Sequence, residues 1–436
     1  MEKMLKQPEI IAPSGPVLVD QRIEIQVKNL RPFQHVTLRV ELNSEKPVFF
    51  ESYGHYIADK DGELNLSRDS SFGGTYKGID NMGLFWSMLV APGQRKGARF
   101  ITKDVTKMME FRVFLFDGHV MSQSNAESMV QALEKLPKAL AKTAILRTYL
   151  AENVERVEIS VGRIRGTLFV PKGNRKFPGV IDMFGTHGGL LEYRAAILAS
   201  HGFVTLALAF FSYKDLPNGF FNLELEYFME AAKWLASHDK VYSSGIGYIG
   251  VSYGGQIALH VSAECPFVKA VVAISSHNAI GIPVKYKGKI LGFTKIFSRE
   301  DIVITEDQMI ITRDSFEKYA EELHSIEIPI EKIKGKIMIV AGEEDMSTNA
   351  PKCARRMQSR LKEYSKEPPT VLIYPGTGHL IEVPYMPVCS ASYHSVVGHL
   401  IVWGGNIIEH SAAQEHAWHY IRSFLFENIQ DVTSKL

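Results

Sequence analysis

The first third of the chain alternates apolar with polar residues. The alternation is clearest at residues 23–27, 36–42 and 111–116, and a period of two residues predicts β-strands with one buried face. The dipeptides Asp61-Gly62 and Asp117-Gly118 are typical of hairpin turns. Short strands separated by frequent turns, with little helical periodicity, predict a β-sandwich domain over residues 1–140.

A different pattern follows this region. Residues 126–150 predict a helical connector, and two further alternating strands lie near residues 157–161 and 168–170. Short and nearly continuous apolar runs then alternate with segments of helical spacing; the runs lie at residues 180–184, 203–211, 246–251, 268–274, 336–341 and 370–374. Apolar strands separated by amphipathic helices are typical of a parallel sheet covered on both faces, so residues 150–436 are predicted to form an α/β domain.

Composition narrows the function classes. The chain has 436 residues, of which 45 % are hydrophobic, and this is enough for two packed domains. Its 49 Lys and Arg residues nearly balance its 48 Asp and Glu residues, and no charged block of the kind that binds nucleic acid is present. No apolar run approaches the ~18 residues of a membrane span. Three cysteines without a C-x-x-C pair predict neither a disulfide framework nor a metal site, and no cofactor is expected.

The two ends of the chain bear on its location. The N-terminal residues lack the apolar core of a secretory signal. The last three residues, Ser434, Lys435 and Leu436, form the tripeptide that the peroxisomal import receptor recognises. We therefore expect a peroxisomal protein with that receptor as a partner. A cytoplasmic location is the alternative, if the tripeptide is accidental.

A candidate nucleophile lies in the sequence Gly-Val-Ser-Tyr-Gly at residues 250–254, between an apolar strand and a helical run. A serine at a strand-to-helix turn adopts a strained backbone that exposes its hydroxyl, and the residues two before and two after it must be small. The G-x-S-x-G pattern alone is weak, since a Gly-rich turn also produces it. Its position between strand and helix is the one its mechanism requires, so Ser252 is the predicted nucleophile.

A serine hydroxyl needs a base to remove its proton, and an acid and a histidine are expected to follow it in that order, each after a strand. Asp345 follows the apolar run 336–341, and His379 follows the run 370–374. We expect His379 to be the general base and Asp345 to orient it. Glu343 and Glu344 are adjacent alternatives for the acid, with Asp345 then capping a helix.

Hydrolysis through an acyl-enzyme also needs two backbone N–H groups that bind the negative charge developing on the carbonyl oxygen. The first is predicted at Tyr253, the residue after the nucleophile. The second is predicted at Thr186, in the loop 185–189 that follows an early strand of the sheet. The glycines of this loop could instead serve only a tight strand-to-helix connection. His187 in the same loop is not assigned a role.

Several stretches resemble the type I acyl-CoA thioesterase and bile acid-CoA:amino acid N-acyltransferase family. Besides the Ser252 turn, they are Asn-Met-Gly-Leu-Phe-Trp-Ser at 81–87, Gly-Gly-Leu-Leu-Glu-Tyr-Arg-Ala at 188–195, Pro-Gly-Thr-Gly-His-Leu-Ile-Glu at 375–382 and Ala-Ala-Gln-Glu-His-Ala-Trp at 412–418. The resemblance covers nearly the whole chain. It implies an N-terminal β-sandwich, a C-terminal α/β-hydrolase domain, a fatty or bile acyl-CoA substrate, and a triad of Ser252, Asp345 and His379.

Ser252 bears on which reaction of that family is expected. The bile-acid conjugating members carry cysteine as the nucleophile, whereas the thioesterases carry serine. An acyl-serine is an oxygen ester that reacts less readily with amines than an acyl-cysteine does, so serine favours attack by water. We expect an acyl-CoA thioesterase. The alternative is an acyl-CoA:amino acid N-acyltransferase that uses glycine or taurine, because some serine-bearing relatives are regarded as conjugating enzymes.

Other readings of the same residues stay open. His187 stands where relatives usually have glycine, which bears on the identity of the second oxyanion donor. An esterase or dienelactone-type hydrolase would share the fold and the site, and a catalytically silent acyl-CoA binder would leave the triad order unexplained. Residues 282–314 could form a lid over an acyl pocket or a plain surface connection. No pattern in the sequence indicates an oligomeric state.

Overall fold

The computed structural model describes residues 6–44, 48–94, 97–120, 136–221, 223–292, 299–315 and 326–430. The chain folds as two units. The first comprises Met1–Tyr149 with Val383–Cys389, and the second comprises Leu150–Glu382 with Ser390–Leu436. The tripeptide Ser434, Lys435 and Leu436 lies outside the described residues.

The first unit is the predicted β-sandwich. One sheet has the strand order β2-β10-β9-β4-β5-β7 with β8 paired to β5, and a second has the order β1-β3-β6. The alternating stretch 36–42 lies in β4, where Val36, Leu38 and Val40 are fully buried. The elements are β1 Glu9–Ile11, β2 Val17–Leu18, β3 Gln26–Lys28, β4 His35–Asn43, β5 Phe49–Ile57, β6 Leu64–Asn65, β7 Gly73–Gly74, α1 Gly83–Trp86, β8 Leu89–Val90, β9 Met109–Asp117 and β10 Ala141–Thr148.

The predicted helical connector over 126–150 is wrong where the structure describes it as a strand. Residues 141–148 form β10, which pairs antiparallel with β9 and places Ala141 opposite Leu115. Lys and Ala favour a helix, but cross-strand pairing and the burial of Ile145 outweigh that local preference. Residues 126–135 of the same prediction lie outside the described residues.

The two turn dipeptides differ in outcome. Gly62 has a φ of 75° and its N–H donates to the carbonyl of Asp59, so a turn is present there. The strands on either side of that turn, β5 and β6, belong to different sheets. Asp117 ends β9, which pairs antiparallel with the next described strand, β10. Residues 121–135 of the connection between them lie outside the described residues. The hairpin prediction is therefore wrong at Asp61-Gly62, whereas the strand before Asp117-Gly118 pairs with the next described strand.

The second unit is built on an eight-stranded sheet with the order β11-β12-β14-β13-β15-β16-β21-β22. The β11–β12 and β12–β14 pairs are antiparallel, and all the other pairs are parallel. The strands are β11 Val154–Val161, β12 Ile164–Pro171, β13 Phe177–Met183, β14 Val204–Ala209, β15 Val241–Val251, β16 Val268–Ile274, β21 Lys336–Gly342 and β22 Thr370–Tyr374. The helices are α2 Tyr193–Ser200, α3 Leu225–Ala236, α4 Tyr253–Glu264, α5 Ala350–Glu363 and α6 Ile407–Asn428.

The continuous apolar runs of the sequence are the parallel strands of this sheet. Every residue of β13 and β14 is buried, as expected for strands covered on both faces. The carboxyl ends of β13, β15, β16, β21 and β22 lie at one edge of the sheet. This sheet, with a serine on the turn after β15 and a histidine on the loop after β22, is the α/β-hydrolase fold.

Further short strands form two small sheets apart from the main sheet. Residues 282–314 contain several of them, and residues 293–298 lie outside the described part. The strand β20 pairs in parallel with β24, which belongs to a hairpin between β22 and α6. A lid role for this region stays a prediction. These strands are β17 Val284–Tyr286, β18 Lys289–Leu291, β19 Val303–Ile304, β20 Ile310–Ile311, β23 Ala391–His394 and β24 His399–Val402.

Within the described ranges, no helix is both long and apolar enough to cross a lipid bilayer.

Candidate active site

Ser252 lies on the sharp turn between β15 and α4. Its backbone has φ 57° and ψ −122°, a region that non-glycine residues rarely adopt. The flanking glycines make the turn possible. A Cβ on Gly250 would lie 2.2 Å from the carbonyl oxygen of Gly254, and a Cβ on Gly254 would lie 2.4 Å from that of Phe184. The predicted strand, turn and helix are therefore present at the predicted positions.

His379 and Asp345 are hydrogen bonded at the same edge of the sheet. The Nδ1 atom of His379 lies 2.8 Å from Oδ2 of Asp345, and the two side chains are 2 % and 0 % exposed. The other oxygen of Asp345 accepts hydrogen bonds of 2.8 Å from the backbone N–H groups of Ser347 and Thr348. An ionised carboxylate only accepts, so Nδ1 carries a proton and Nε2 is left as the basic nitrogen.

The alternative acids do not share this environment. Glu343 and Glu344 are exposed, whereas Asp345 is fully buried against the imidazole. Asp345 also accepts from the backbone N–H groups of Ser347 and Thr348, which closes a local turn ahead of the helix. The N-cap of α5 is Asn349, so the helix-cap role that the sequence offered for Asp345 is wrong.

Two hydrogen bonds connect the serine turn to the histidine loop through the end of β16. The N–H of Ser252 donates to the carbonyl of Ile274 at 2.8 Å. The next residue, Ser275, is fully buried with a φ of 50°, and its hydroxyl donates to the carbonyl of His379 at 2.8 Å. Ile274 and Ser275 are consecutive, so the end of β16 is hydrogen bonded to both the nucleophile turn and the histidine loop.

The loop 185–189 packs against the serine turn. A Cβ on Gly185 would lie 3.0 Å from Cβ of Ser252 and 3.4 Å from its hydroxyl oxygen. Tyr253 is the first residue of α4, so its N–H has no acceptor within that helix. The structure therefore brings the loop that contains Thr186 next to Ser252 and Tyr253.

A buried ion pair anchors the strand that leads into this loop. Asp182 lies in β13 and Arg194 in α2, and the guanidinium Nε donates to Oδ1 of Asp182 at 2.6 Å. Another guanidinium nitrogen of Arg194 donates to the carbonyl of Met183 at 2.8 Å, and the group lies 4.3 Å from the ring centre of Phe184. Burial raises the pKa of Asp182, and the adjacent guanidinium opposes that shift.

Three residues around the site were missed by the sequence analysis. The ring of Trp403 stacks on that of His379, with centroids 5.5 Å apart and an angle of 18° between the planes. The ring centroid of His394 lies 6.1 Å from that of Trp403, and Nε2 of His394 is 3.0 Å from the hydroxyl of Thr186. His410 contacts the histidine loop from α6. Trp403 and His394, which lie in or beside the β23–β24 hairpin, carried no recognisable motif. A histidine on the apolar face of α6, however, could have been predicted to be buried and hydrogen bonded.

His187 lies beside His394, on the loop that contains Thr186. Its ring lies 6.5 Å from that of His394 in an edge-on arrangement. Among the residues that the structure describes, no three His, Cys, Asp or Glu side chains are arranged to hold a metal ion.

Comparison with known families decides the family of the chain. A family model described as "Acyl-CoA thioester hydrolase/BAAT N-terminal region" matches residues 20–161. A second, described as "BAAT / Acyl-CoA thioester hydrolase C terminal", matches residues 223–431. The chain belongs to the acyl-CoA thioester hydrolase/BAAT family. The resemblance inferred from the sequence is thereby confirmed.

Members of the acyl-CoA thioester hydrolase/BAAT family align with this chain over nearly its full length. Human bile acid-CoA:amino acid N-acyltransferase is 39 % identical, with 96 % of this chain and 97 % of that protein covered. Mouse peroxisomal succinyl-coenzyme A thioesterase is 36 % identical, with 98 % and 97 % covered. Human acyl-coenzyme A thioesterase 1 is 34 % identical, with 96 % of each covered. The family therefore includes both thioester hydrolases and an amino-acid conjugating enzyme.

Proposed function

We propose that this protein is an acyl-CoA thioesterase that hydrolyses fatty acyl-CoA, and also bile acyl-CoA where its pocket accepts it, through an acyl-serine intermediate. The observation that carries the proposal is the buried bond between His379 and Asp345, on the same sheet edge as Ser252 in its strained turn. These are the base, the orienting acid and the nucleophile that acyl transfer requires. No cofactor is needed for this chemistry.

The reaction proceeds in two half-reactions. In the first, Oγ of Ser252 attacks the thioester carbonyl carbon while Nε2 of His379 takes the hydroxyl proton. The carbon–sulfur bond then breaks, and His379 transfers that proton to the departing CoA thiolate. In the second, water attacks the acyl-serine, His379 takes the water proton, and Ser252 regains its proton when the free acid leaves. Asp345 holds the tautomer with Nε2 unprotonated and stabilises the imidazolium.

Both tetrahedral intermediates carry a negative oxygen. We assign its stabilisation to the backbone N–H groups of Tyr253 and Thr186. The contact of Gly185 with Ser252 supports the assignment, because it places the loop beside the nucleophile. Each such donor commonly contributes ~10²–10³ in rate. The hydroxyl of Thr186 lies 3.0 Å from Nε2 of His394, a contact that holds the loop from its side chain.

The choice between hydrolysis and conjugation rests on the nucleophile atom. An acyl-serine is an oxygen ester, which water activated by His379 can hydrolyse and which amines attack slowly. The second candidate, an N-acyltransferase that uses glycine or taurine, is favoured by the 39 % identity to the human conjugating enzyme. The product profile with and without the amine separates the two, and amide formed in preference to free acid would reverse our ranking.

The proposed location is the peroxisome, with the import receptor as partner through Ser434, Lys435 and Leu436. One relative carries "peroxisomal" in its name, and others are described as mitochondrial or without a location. Removing the three residues from the full chain should leave a fluorescently tagged protein in the cytoplasm. Unchanged peroxisomal localisation would contradict this assignment.

The central experiment follows free thiol during incubation of the purified protein with a panel of acyl-CoA esters. Ser252→Ala should lower kcat by a factor on the order of 10⁶, because it removes the nucleophilic oxygen. Ser252→Cys is the informative companion, since an acyl-cysteine should divert acyl groups to glycine or taurine. Equal thiol release by wild type and Ser252→Ala, or a simple ester processed far better than every acyl-CoA, would refute the proposal.

A further inference from the structure

His410 lies on the first turns of α6, directly against the histidine loop. Its side chain is fully buried. The N–H of Gly378 donates to Nδ1 of His410 at 3.2 Å, and Nε2 of His410 lies 2.9 Å from the carbonyl oxygen of Leu380. Gly378 and Leu380 are the residues immediately before and after His379. One imidazole therefore bridges the backbone on both sides of the proposed base.

The two partners determine the protonation of this ring. A backbone N–H can only donate and a carbonyl can only accept, so Nδ1 is unprotonated and Nε2 carries the proton. The ring is neutral in this arrangement. A second proton on Nδ1 would face the N–H of Gly378 and break that bond. Burial lowers the pKa of His410; the titratable groups near it are Glu382 and Asp345, which oppose this shift, and His379, which adds to it.

The histidine loop packs closely against His410 and against the residues that precede α6. A Cβ on Gly405 would lie 2.6 Å from Nδ1 of His410 and 2.5 Å from the nitrogen of Gly378. A Cβ on Gly378 would lie 2.2 Å from the carbonyl oxygen of Gly404. The start of α6 is tied to the same loop, because the N–H of Asn406 donates to the carbonyl of Gly376 at 2.7 Å.

We propose that His410 is a positioning residue, whose neutral imidazole fixes the backbone of residues 378–380 so that His379 faces Ser252 while bonded to Asp345. The inference rests on the triad of the proposed function and extends it to a second histidine. His410 touches neither substrate nor reacting atoms. A displacement of about 1 Å at the base lowers reaction rates by about 10²-fold, so a ring that holds the loop within that tolerance affects turnover.

A purely structural role would be space filling in the core. The two roles differ in their response to substitution. Gln offers an acceptor and a donor at the end of its side chain, as the two ring nitrogens do, whereas Leu fills the space without either. If His410 acts through its bonds, His410→Gln keeps most of the activity and His410→Leu does not. If it only fills space, the two variants behave alike.

The test measures the labelling rate of Ser252 by a fluorophosphonate, which reports the reactivity of the serine without requiring acyl-CoA. His410→Leu should label about 10²-fold more slowly than wild type, and His410→Gln should recover most of that loss. His416→Leu is the matched control, because His416 is an exposed histidine of the same helix and its ring contacts Tyr374 and Tyr420. Its labelling rate should equal that of wild type.

A second readout follows the proton between His379 and Asp345. Its downfield proton NMR signal should be retained in His410→Gln and shifted or lost in His410→Leu. If His410→Leu does not fold, His410→Asn replaces it. Asn can still accept from Gly378 but is too short to reach Leu380, so labelling should be slower than in His410→Gln.

The outcomes separate this inference from the proposed function. Unchanged labelling in a folded His410→Leu, or in His410→Asn, would show that His410 does not position the base. Efficient labelling of wild type without acyl-CoA hydrolysis would refute the thioesterase assignment alone. Failure of the fluorophosphonate to label wild-type Ser252 would refute the triad, and the role of His410 with it.

Discussion

The two sides of the candidate site are held in place in different ways. On the nucleophile side, the strained turn at Ser252 depends on glycines whose neighbours are backbone atoms. On the histidine side, His379 is held by side chains that come from separate elements: Asp345, Ser275, Trp403 and His410. The first arrangement depends on close packing of backbone atoms, and the second depends on side chains that hydrogen bond to the loop or stack on its ring.

This difference has consequences for how each side tolerates change. The serine turn has no room for an added Cβ at Gly250 or Gly254, because backbone atoms lie too close. The histidine loop depends on side chains instead, and each of them can be replaced by one that fills the same space without making the contact. Mutations can therefore test the two sides separately.

Among the residues that support the serine and the histidine, the largest effect is expected from Asp345→Asn on the histidine side. The amide presents an N–H group or a weaker acceptor to Nδ1 of His379, so the imidazole tautomer is no longer held and kcat should fall by about 10⁴-fold. Circular dichroism should show a retained fold. Glu344→Gln is the control, because this neighbouring carboxylate is exposed. A comparable loss in the control would restore Glu344 as the candidate acid.

The next effect is expected from Gly254→Ala on the nucleophile side. The new Cβ would lie 2.4 Å from the carbonyl oxygen of Phe184, and a backbone atom cannot rotate away as a side chain can. The turn must shift, which should destabilise the fold by about 1–3 kcal/mol and lower kcat by about 10²-fold. Gly219→Ala is the control, since no atom lies within 4 Å of its Cβ position. Wild-type turnover in Gly254→Ala would show that the turn tolerates a larger residue.

A smaller effect is expected from Thr186→Val, which tests the loop between the two sides. The substitution removes the hydroxyl that lies 3.0 Å from Nε2 of His394 and leaves the backbone N–H of Thr186 in place. Loss of a partner at the buried His394 should loosen the loop and lower kcat/KM by about tenfold. Thr186→Ser keeps the hydroxyl and should retain wild-type kcat/KM. If both variants turn over equally, the side chain of Thr186 does not place the loop.

The smallest effect on activity is expected from His260→Phe, which replaces a buried histidine near the end of the helix that follows Ser252. His260 lies on α4, its ring packs against Tyr286, and burial lowers its pKa to about 4. The unfolded chain, with a His pKa near 6.5, then binds one more proton than the folded chain between those pH values. Lowering the pH from 7 to 5 should therefore reduce the free energy of unfolding by about 2 kcal/mol through this group alone.

His260→Phe should not show that part of the acid destabilisation, and its kcat at pH 7 should equal that of wild type. Urea unfolding of both proteins at the two pH values measures the difference. An equal acid dependence would mean that His260 is not held neutral by burial. Lower turnover in His260→Phe would mean that a buried histidine away from the histidine loop also affects catalysis, which would weaken the contrast with His410.

The sequence predicted the fold better than it predicted the contacts around the site. The alternation at 36–42 and the apolar runs after residue 180 became the expected strands, because side-chain periodicity follows directly from strand geometry. The stretch 141–148 was mistaken for a helix, because its preference was overruled by pairing with β9. The position of Ser252 could be predicted, since its motif lies within five consecutive residues.

The sequence by itself determined the two-part architecture, the family, the serine turn, and the order of serine, acid and histidine. Each of these depends on spacing along the chain. Only the tertiary structure decided that Asp345, among three neighbouring acids, bonds to His379, and that His410 and Trp403 surround the same loop. Burial patterns show that a residue is inside, but its partner there depends on how distant strands and helices pack.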